Sequence, residues 1–429
     1  MASGILVNTA QAAIHCTGEN MNQIHTQNSL QGKTHWALWA VCLFSMVLAG
    51  FITTFKELMW MQYAREQGWL GAQFAAAQQF SFGASAVGVL LWAVLADVWG
   101  RKQALLLAWM GVVLVCGSLW LLPFRFELLR WAHMLSALAL VGIPVVSVVW
   151  CWENSQRLRY GLCGLVMSGF VLGMFAAHVL DYADVAQIMA THGLLIVSVA
   201  CVLVVGLLTV FTPQTLPENA DVTAIQMPYA AGQLPRHDWV TWFQNLLLYS
   251  AVLGLSWALT LGLRDYVGSV AMKMNPNAHM LAQVHHVLSI LIAGGLALGL
   301  FVSGWVLQFL GRLTALWGLC VLALGCMAYM TWQPNVFQDF DGAWVLMGVA
   351  LGLGCLTWWS KVLVAASVAH HRCTAWALVS LGGAMMGAGM HQQMRVLVYG
   401  ERFPFEHYAA MVVLMAILIA LIRKPKALD

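Results

Sequence analysis

A dense group of charged residues interrupts the apolar sequence at residues 93–102, AVLADVWGRK. Only 9% of the chain is charged, yet Asp97, Arg101 and Lys102 lie within one short stretch between two apolar runs. A carboxylate and a guanidinium at this spacing can pair with each other or with groups elsewhere in the molecule. Gly100 stands between them, and glycine commonly ends a helix. We therefore expect a short interfacial loop whose charges form specific ion pairs.

A second charged group follows another apolar run, in the sequence WENSQRLRYG at residues 152–161. Glu153 precedes Arg157 and Arg159 at distances that let their side chains meet at the end of a helix. This spacing predicts a second zone of ion pairing, the alternative being a helix end that is simply solvated.

Both groups recur about half a chain later. In the sequence GWVLQFLGR at residues 304–312, Gly311 and Arg312 lie 211 residues after the glycine and arginine of the first loop, and Gln308 replaces its aspartate. Arg372, in AHHRCTA, follows Arg159 by 213 residues. Two matches at almost one period in a chain of 429 residues indicate an internal duplication.

Three other charged residues lie within or just beyond apolar runs. Lys361, in TWWSKVLVAA, has no adjacent acid, so it should face a wet cavity or an acid on a neighbouring helix. Beside Trp358 and Trp359 it would suit an anionic carboxylate with an apolar or ring-shaped body; the alternative is a lysine that reaches the lipid headgroups. Lys56 and Glu57 are candidates for ion coupling, the alternative being an interfacial position.

A histidine and a methionine stripe share one apolar run. His391 is predicted to lie within the membrane, and imidazole is a natural proton carrier near neutral pH. Met386, Met390 and Met394 are spaced four residues apart around it, so they share one helical face. Stacked thioethers can pass a Cu(I) ion. Packing is the favoured role for this stripe, so we expect no metal site.

The composition places the chain in a lipid bilayer. Hydrophobic residues make up 61% of it and the mean hydropathy is +0.78, more than a soluble core of this length can bury. The net charge of +3 is too small to indicate nucleic acid, and the sequence contains no phosphate-binding G-x-x-x-x-G-K-[ST] motif. No nucleophile, base and orienting group stand out either. We therefore expect neither an enzyme nor a cofactor.

Twelve apolar runs, each long enough to cross about 30 Å of hydrocarbon as a helix, predict an all-α membrane protein. The runs lie near residues 36–61, 70–96, 103–122, 128–152, 160–180, 188–211, 240–263, 281–308, 313–332, 342–367, 374–397 and 404–422. They predict an N-terminal tail at 1–34, a first half at 35–212, a proline-rich linker at 213–238, a second half at 239–423 and a C-terminal tail at 424–429. The distribution of Lys and Arg favours cytoplasmic termini.

The first charged loop resembles that of the major facilitator superfamily, G-x-L-A-D-x-x-G-R-K, and departs from it only at Ala93. The resemblance implies twelve helices in two pseudo-symmetric six-helix halves that rock around a central cavity. It also implies that Asp97 and Arg101 form a conformational latch, the alternative being basic residues that only keep the loop on the inner side. With the second charged group and the repeat, the full set of latch candidates is Asp97, Gly100, Arg101, Lys102, Glu153, Arg157, Arg159, Gln308, Gly311, Arg312 and Arg372.

The sequence around Glu153 is similar to the E-x-x-P-x-x-x-R-G signature of the sugar-porter and organic-ion branches, although the proline is missing. Glycines of the same region, Gly161, Gly164, Gly169 and Gly173, predict close packing between helices.

The resemblance implies a secondary active transporter of the bacterial inner membrane that moves a small organic solute, an organic acid or a sugar-like metabolite. We expect alternating access, proton symport and a monomer. The alternatives are a non-transporting receptor or assembly protein with the same fold, and a Cu(I) transporter.

Overall fold

The computed structural model describes residues 36–58, 68, 71–121, 126–155, 158–182, 186–212, 236–274, 278–332, 341–366, 371–398 and 405–422. All regular structure in these ranges is α-helical, which confirms the predicted class. The helices are α1 (Trp36–Leu58), α2 (Gly71–Trp99), α3 (Arg101–Leu121), α4 (Phe126–Leu140), α5 (Gly142–Asn154), α6 (Arg159–Tyr182), α7 (Ala186–Phe211), α8 (Arg236–Met274), α9 (Ala278–Leu310), α10 (Arg312–Trp332), α11 (Asp341–Ala366), α12 (Arg372–Val398) and α13 (Phe405–Leu421).

The thirteen described helices give the twelve-helix arrangement that the sequence predicts, because α4 and α5 form one span, Arg130–Asn154. The break falls just before Gly142 and Pro144, and proline cannot donate the backbone hydrogen bond that a continuous helix needs. The indole of Trp92 on α2 donates to the carbonyl of Leu138 at 2.7 Å, which ties the segment before the break to a neighbouring helix. Eight spans among the described residues are long and apolar enough to cross a membrane. The chain is a multi-pass membrane protein.

Helix packing repeats after six passes. The first half packs α2 on α4 and α3 on α7, and the second half packs α9 on α11 and α10 on α13 in the same order. Matching helices also begin alike: Ala104 N donates to Gly100 O and Ala315 N to Gly311 O, each at 3.1 Å. The structure therefore has the two pseudo-symmetric six-helix halves that the sequence repeat predicts.

Glycines set the closest helix contacts within the first half. A Cβ atom on Gly50 of α1 would lie 1.8 Å from the carbonyl oxygen of Phe170 on α6, and one on Gly173 would lie 1.9 Å from that of Val47. Gly169 packs on Leu43 in the same seam. The predicted close packing of this glycine series is confirmed.

Between the halves, α6 packs against α9, and α12 packs against α2 and α5. The glycine series continues into this contact, since Gly164 on α6 meets Gly304 on α9 and Gly161 meets Trp305. The predicted linker at 213–238 lies mostly outside the described residues, as do the predicted tails, so the proposed domain bounds stay predictions. We call the end of the bundle that carries Asp97 and Arg372 the motif end.

Candidate functional site

Asp97 reaches across from one half to the other. It lies in the last turn of α2, and its side chain is only 2% exposed. Its Oδ1 accepts a hydrogen bond from the backbone N–H of Cys373 at 3.3 Å, and its Oδ2 accepts from the backbone N–H of Thr374 at 2.9 Å. The hydroxyl of Thr374 donates to the same Oδ2 at 2.7 Å. Asp97 therefore caps the first turn of α12, in the opposite half.

This cap has a clear electrostatic basis. The first backbone N–H groups of a helix have no partner within the helix, and the helix dipole places partial positive charge there. The chain enters α12 through His371, whose φ of 57° lies in the left-handed region. A buried carboxylate is thus neutralised by the start of α12 on one side and by the guanidinium of Arg101, 3.1 Å away, on the other.

A second carboxylate extends the contact between the halves. Glu153 on α5 accepts two hydrogen bonds from Arg101, from Nε at 3.0 Å and from Nη2 at 2.8 Å. Arg372, at the start of α12, lies 3.5 Å from the same carboxylate. The two acids therefore hold one arginine from each half. We call Asp97, Arg101, Glu153, Arg372 and Thr374 the Asp97 cluster.

The basic residues near Glu153 differ from expectation. The guanidinium of Arg159 lies 4.9 Å from the ring centre of Trp152 and 5.7 Å from that of Tyr160, where it makes cation–π contacts. The predicted pairing of Glu153 with Arg159 is therefore wrong, because Arg101 and Arg372 take that carboxylate. Arg157 lies outside the described residues.

The second loop makes a weaker contact of the same kind. Oε1 of Gln308, at the end of α9, accepts a hydrogen bond from the backbone N–H of Tyr160 in the first turn of α6 at 3.3 Å. Gly311 and Gly100 both have positive φ, 79° and 103°, as expected for glycines that end helices. Arg312 begins α10, and its side chain is not among those described.

Lys102 makes a contact within the first half. Its ammonium donates to the backbone carbonyl of Thr212 at 2.9 Å, which ties the start of α3 to the end of α7. Of the predicted latch residues whose side chains are described, Asp97, Glu153, Gln308 and Arg372 make hydrogen bonds or ion pairs between the halves. The described hydrogen bonds and ion pairs of Arg101 and Lys102 lie within the first half, where Arg101 holds both carboxylates.

Lys361 lies between two indole rings. Its Nζ is 4.8 Å from the ring centre of Trp358 and 4.7 Å from that of Trp376 on α12. The Trp358 ring in turn contacts Phe170 of α6, with ring centres 5.7 Å apart. No described carboxylate lies within ion-pair distance of this ammonium. Lys361 therefore lies beside a ring, that of Trp358, which borders the interface between the halves. We call Lys361, Trp358 and Trp376 the Lys361 cage.

Trp359 points elsewhere. It is fully buried, its indole N–H donates to the hydroxyl of Ser303 on α9, and its ring lies 6.1 Å from that of Tyr160. The expectation that Trp359 flanks the lysine is wrong, since successive residues on a helix point in different directions. Trp376 takes that place.

His391 has an acidic partner on another helix. Its Nε2 lies 3.0 Å from Oδ2 of Asp265 on α8. Met386 packs at its Cβ against Gly254, and Met390 packs on the hydrophobic core, while the side chain of Met394 is not described. We therefore assign the methionine stripe to packing.

Lys56 turns into the first half. Its Nζ donates to the hydroxyl of Ser136 on α4 at 3.1 Å, and that hydroxyl donates to the carbonyl of His133 at 2.9 Å. Glu57 is exposed at the end of α1. The structure thus separates these two neighbours, with one side chain inside the bundle and the other at its surface.

Comparison with solved structures decides the fold. The human organic anion transporter MFSD10 (TETRAN) superposes with a TM-score of 0.61 at 16% identity, over 91% of this chain and 99% of that one. The E. coli fucose:proton symporter FucP superposes with a TM-score of 0.65 at 10% identity, over 90% of this chain and 98% of that one. The chain has the major facilitator fold. A FucP structure in the outward conformation superposes with a TM-score of 0.67 at 10% identity, over 91% of this chain and 100% of that one.

No family model and no curated protein matches the sequence. The likeness to solved major facilitator structures therefore rests on the path of the chain. By their titles, these structures are of transporters. Within this fold, the Asp97 cluster joins the halves at one end of their interface, and Trp376 of the Lys361 cage lies two residues after Thr374 on α12.

Sequence reasoning missed three residues of these sites: Thr374, Trp376 and Asp265. Each lies on a different helix from the residue that it contacts, so spacing along one helix gives no sign of the contact. The internal repeat offers one signal. Arg372 matches Arg159, so the starts of α6 and α12 are equivalent positions, and each is expected to face the other half.

Proposed function

We propose that the protein is a secondary active transporter that moves a small organic solute across the membrane by alternating access. The observation that carries this proposal is the Asp97 cluster. The hydrogen bonds from Cys373 and Thr374 to Asp97 and the ion pair of Arg372 with Glu153 join the two halves at one end, and these contacts must break if that end is to open. A cluster of this kind gives one arrangement of the halves an energetic advantage that can be reversed.

The substrate class follows from the Lys361 cage. The ammonium has aromatic faces on two sides, and no described acid neutralises it. A solute carboxylate would complete its coordination while a ring-shaped body packs on the indoles. We therefore favour an organic anion over a sugar-like metabolite. By its name, one structural neighbour, MFSD10, is an organic anion transporter, and the other, FucP, carries fucose with protons.

We further propose that protons drive uptake and that no cofactor takes part. The protein would act as a monomer in a bacterial inner membrane with both termini in the cytoplasm, which places the motif end on the cytoplasmic side. The excess of Lys and Arg at that end supports this orientation.

The test is uptake into proteoliposomes that contain the purified protein, under an inward proton gradient. The labelled probes are benzoate, lactate, L-fucose and Cu(I). Accumulation of benzoate or lactate supports the proposal, accumulation of L-fucose points to a sugar-like substrate, and copper uptake would reverse our assignment of the methionine stripe. Folded protein that transports none of these probes would favour the non-transporting receptor.

The role of Lys361 can be tested in the same vesicles. Lys361→Met removes the charge but keeps the length of the side chain, so apparent affinity for the carboxylates should fall about tenfold to a hundredfold, as loss of a charge-assisted hydrogen bond implies. Lys361→Arg, the matched control, should retain most of the affinity. Unchanged carboxylate affinity in Lys361→Met would show that the cage does not bind the solute.

A further inference from the structure

The pair formed by Asp265 and His391 lies far from the motif end. His391 is near the end of the membrane span Arg372–Gln393, and Asp265 lies just beyond the span Val240–Leu263. Along α12, His391 is 19 residues from Arg372, or about 28 Å at 1.5 Å per residue. The side chains are 18% and 30% exposed. The pair is therefore placed to exchange with the water at the opposite end of the bundle.

The geometry allows the pair to gain or lose one proton without coming apart. When the imidazole is neutral, Nε2–H donates to Oδ2 of Asp265, and the pair carries one negative charge. When Nδ1 binds a proton, the same Nε2–H bond remains and the pair becomes neutral. The hydrogen bond thus persists in both states while the net charge changes by one. Lys56, in contrast, donates to a neutral hydroxyl.

The surroundings contain few other ionisable groups that the structure describes. Tyr266 follows Asp265 on α8, and Tyr408 of α13 lies within electrostatic reach of both. Glu406 and His407 are exposed at the start of α13. The described charges on α2, α5 and α11, which also pack against α8 or α12, lie towards the motif end: Asp97, Glu153 and Lys361. Side chains outside the described set include Arg264, Lys273, Asp341, Arg395 and three histidines of α9, His279, His285 and His286.

The internal repeat shows that only one half carries the acid. His178 on α6 lies 213 residues before His391, and Thr54 on α1 lies 211 residues before Asp265. These are the two offsets that relate the motif-end loops and the starts of α6 and α12. The first half therefore has the histidine with a threonine at the position of the aspartate. The acid–base pair distinguishes the halves, as a single coupling site requires.

We propose that Asp265 and His391 form the proton-binding site that couples solute movement to the proton gradient. This inference rests on the proposed transport function and adds the group that carries the proton. A proton from the medium opposite the motif end binds Nδ1 of His391, and Asp265 stabilises the imidazolium. After the halves rearrange, the proton leaves to the other side, and the pair returns to its anionic state.

The test separates coupling from transport. Wild type, Asp265→Asn, His391→Gln and the control His178→Gln are reconstituted in proteoliposomes with labelled benzoate, lactate and L-fucose. Two rates are measured for each probe: accumulation driven by an inward proton gradient, and exchange of labelled for unlabelled solute at equal pH on both sides. Asp265→Asn and His391→Gln should lose accumulation down to the level of protein-free vesicles while they retain exchange. His178→Gln should retain both.

A structural role would give a different result. The double variant Asp265→Asn/His391→Gln replaces the pair by two amides that can still hydrogen-bond, so a packing role predicts recovery of accumulation and a proton-binding role predicts none. The exchange rate of wild type should depend on pH, because the pair gains and loses a proton, and that dependence should flatten in His391→Gln.

Several outcomes would overturn the inference. Accumulation by either single variant at the wild-type rate, or loss of exchange together with accumulation in folded protein, removes the pair from coupling. If wild-type protein exchanges solute but does not accumulate it under a proton gradient, the transport function is supported and proton coupling is refuted. Wild-type protein that neither exchanges nor accumulates any probe refutes the proposed function itself, and the inference with it.

Discussion

In each half, the end of the second pass packs against the start of the fifth pass of the other half: α2 meets α12, and α9 meets α6. The two contacts differ in chemistry. At one, Asp97 of α2 accepts three hydrogen bonds from the start of α12, at 2.7 to 3.3 Å. At the other, the neutral amide of Gln308 on α9 accepts a hydrogen bond from the backbone N–H of Tyr160, at the start of α6, at 3.3 Å. Since the two side chains are 211 residues apart, they are the same position in the repeat.

The difference shows that the geometry of the contact between the halves and the strength of that contact have separate causes. The geometry comes from features that both contacts share: a glycine that ends the second pass of one half, and the fifth pass of the other half, which begins opposite it. The strength comes from the charge, because the start of a helix favours an anion. We therefore expect the contact of Asp97 with α12 to hold the motif end closed more strongly than the contact of Gln308 with α6.

Asp97→Asn should have the largest effect. Asparagine keeps the shape but removes the charge, and its amide N–H₂ faces groups that are themselves donors. Loss of the charge-assisted bonds should destabilise the closed motif end by about 1.5–3 kcal/mol, or roughly tenfold to a hundredfold in the population of the open state. Transport should slow while solute affinity stays nearly unchanged.

The open population can be measured at Cys373, which is fully buried beside Asp97. Its rate of labelling by a water-soluble maleimide, read by mass spectrometry of the purified protein, should rise in proportion to opening. Cys355, fully buried within α11, is the internal control and should stay unlabelled. A loss of solute binding with unchanged labelling would show that Asp97 acts on the substrate and not on closure.

Replacing the two loop glycines tests what the contacts share. Gly100→Ala and Gly311→Ala each force a side chain into left-handed backbone, which costs about 1–2 kcal/mol. Both variants should therefore unfold at lower temperature by similar amounts in a thermal scan. Gly117→Ala and Gly318→Ala are matched controls in α3 and α10, where a Cβ meets nothing within 4 Å. A large loss for only one loop would mean that the two loops are not equivalent.

Thr374→Val should have a smaller effect than Asp97→Asn. It removes one of the three donors to the carboxylate while both backbone N–H groups remain, so the closed state should lose about 0.5–1.5 kcal/mol. Maleimide labelling of Cys373 should rise by roughly threefold to tenfold. Thr374→Ser keeps the hydroxyl and should label like wild type, and equal labelling of the serine and valine variants would show that the hydroxyl adds nothing.

The same residues show how far sequence reasoning reaches. The apolar runs give the twelve passes because length and hydropathy are local properties. The two offsets give the pseudo-symmetry, and the spacing of Asp97 and Arg101 gives their ion pair. The cap on α12 could not be predicted, since it depends on how α2 and α12 meet across the halves, and nothing in the sequence near Asp97 encodes Thr374.

The candidate binding residues show the same limit. Helical spacing of three places Trp358, rather than Trp359, on the face of Lys361, so part of the cage was available from the sequence. Trp376 and Asp265 were not, because each approaches from another helix. The pairing of His391 with Asp265 depends on the packing of α12 against α8, which only the folded bundle specifies.

Gln308→Glu should have the smallest effect, with the opposite sign. It restores an acid at the position that corresponds to Asp97 and places negative charge at the start of α6, which should stabilise the closed motif end by about 0.3–1 kcal/mol. Labelling of Cys373 should fall by up to roughly fivefold, and transport should slow because opening becomes harder. Gln308→Leu, the neutral control, removes the acceptor and should raise labelling slightly. If the glutamate variant instead labels faster than wild type, burial of the added charge outweighs its attraction to the helix, and the weaker contact is neutral because its surroundings do not tolerate an anion.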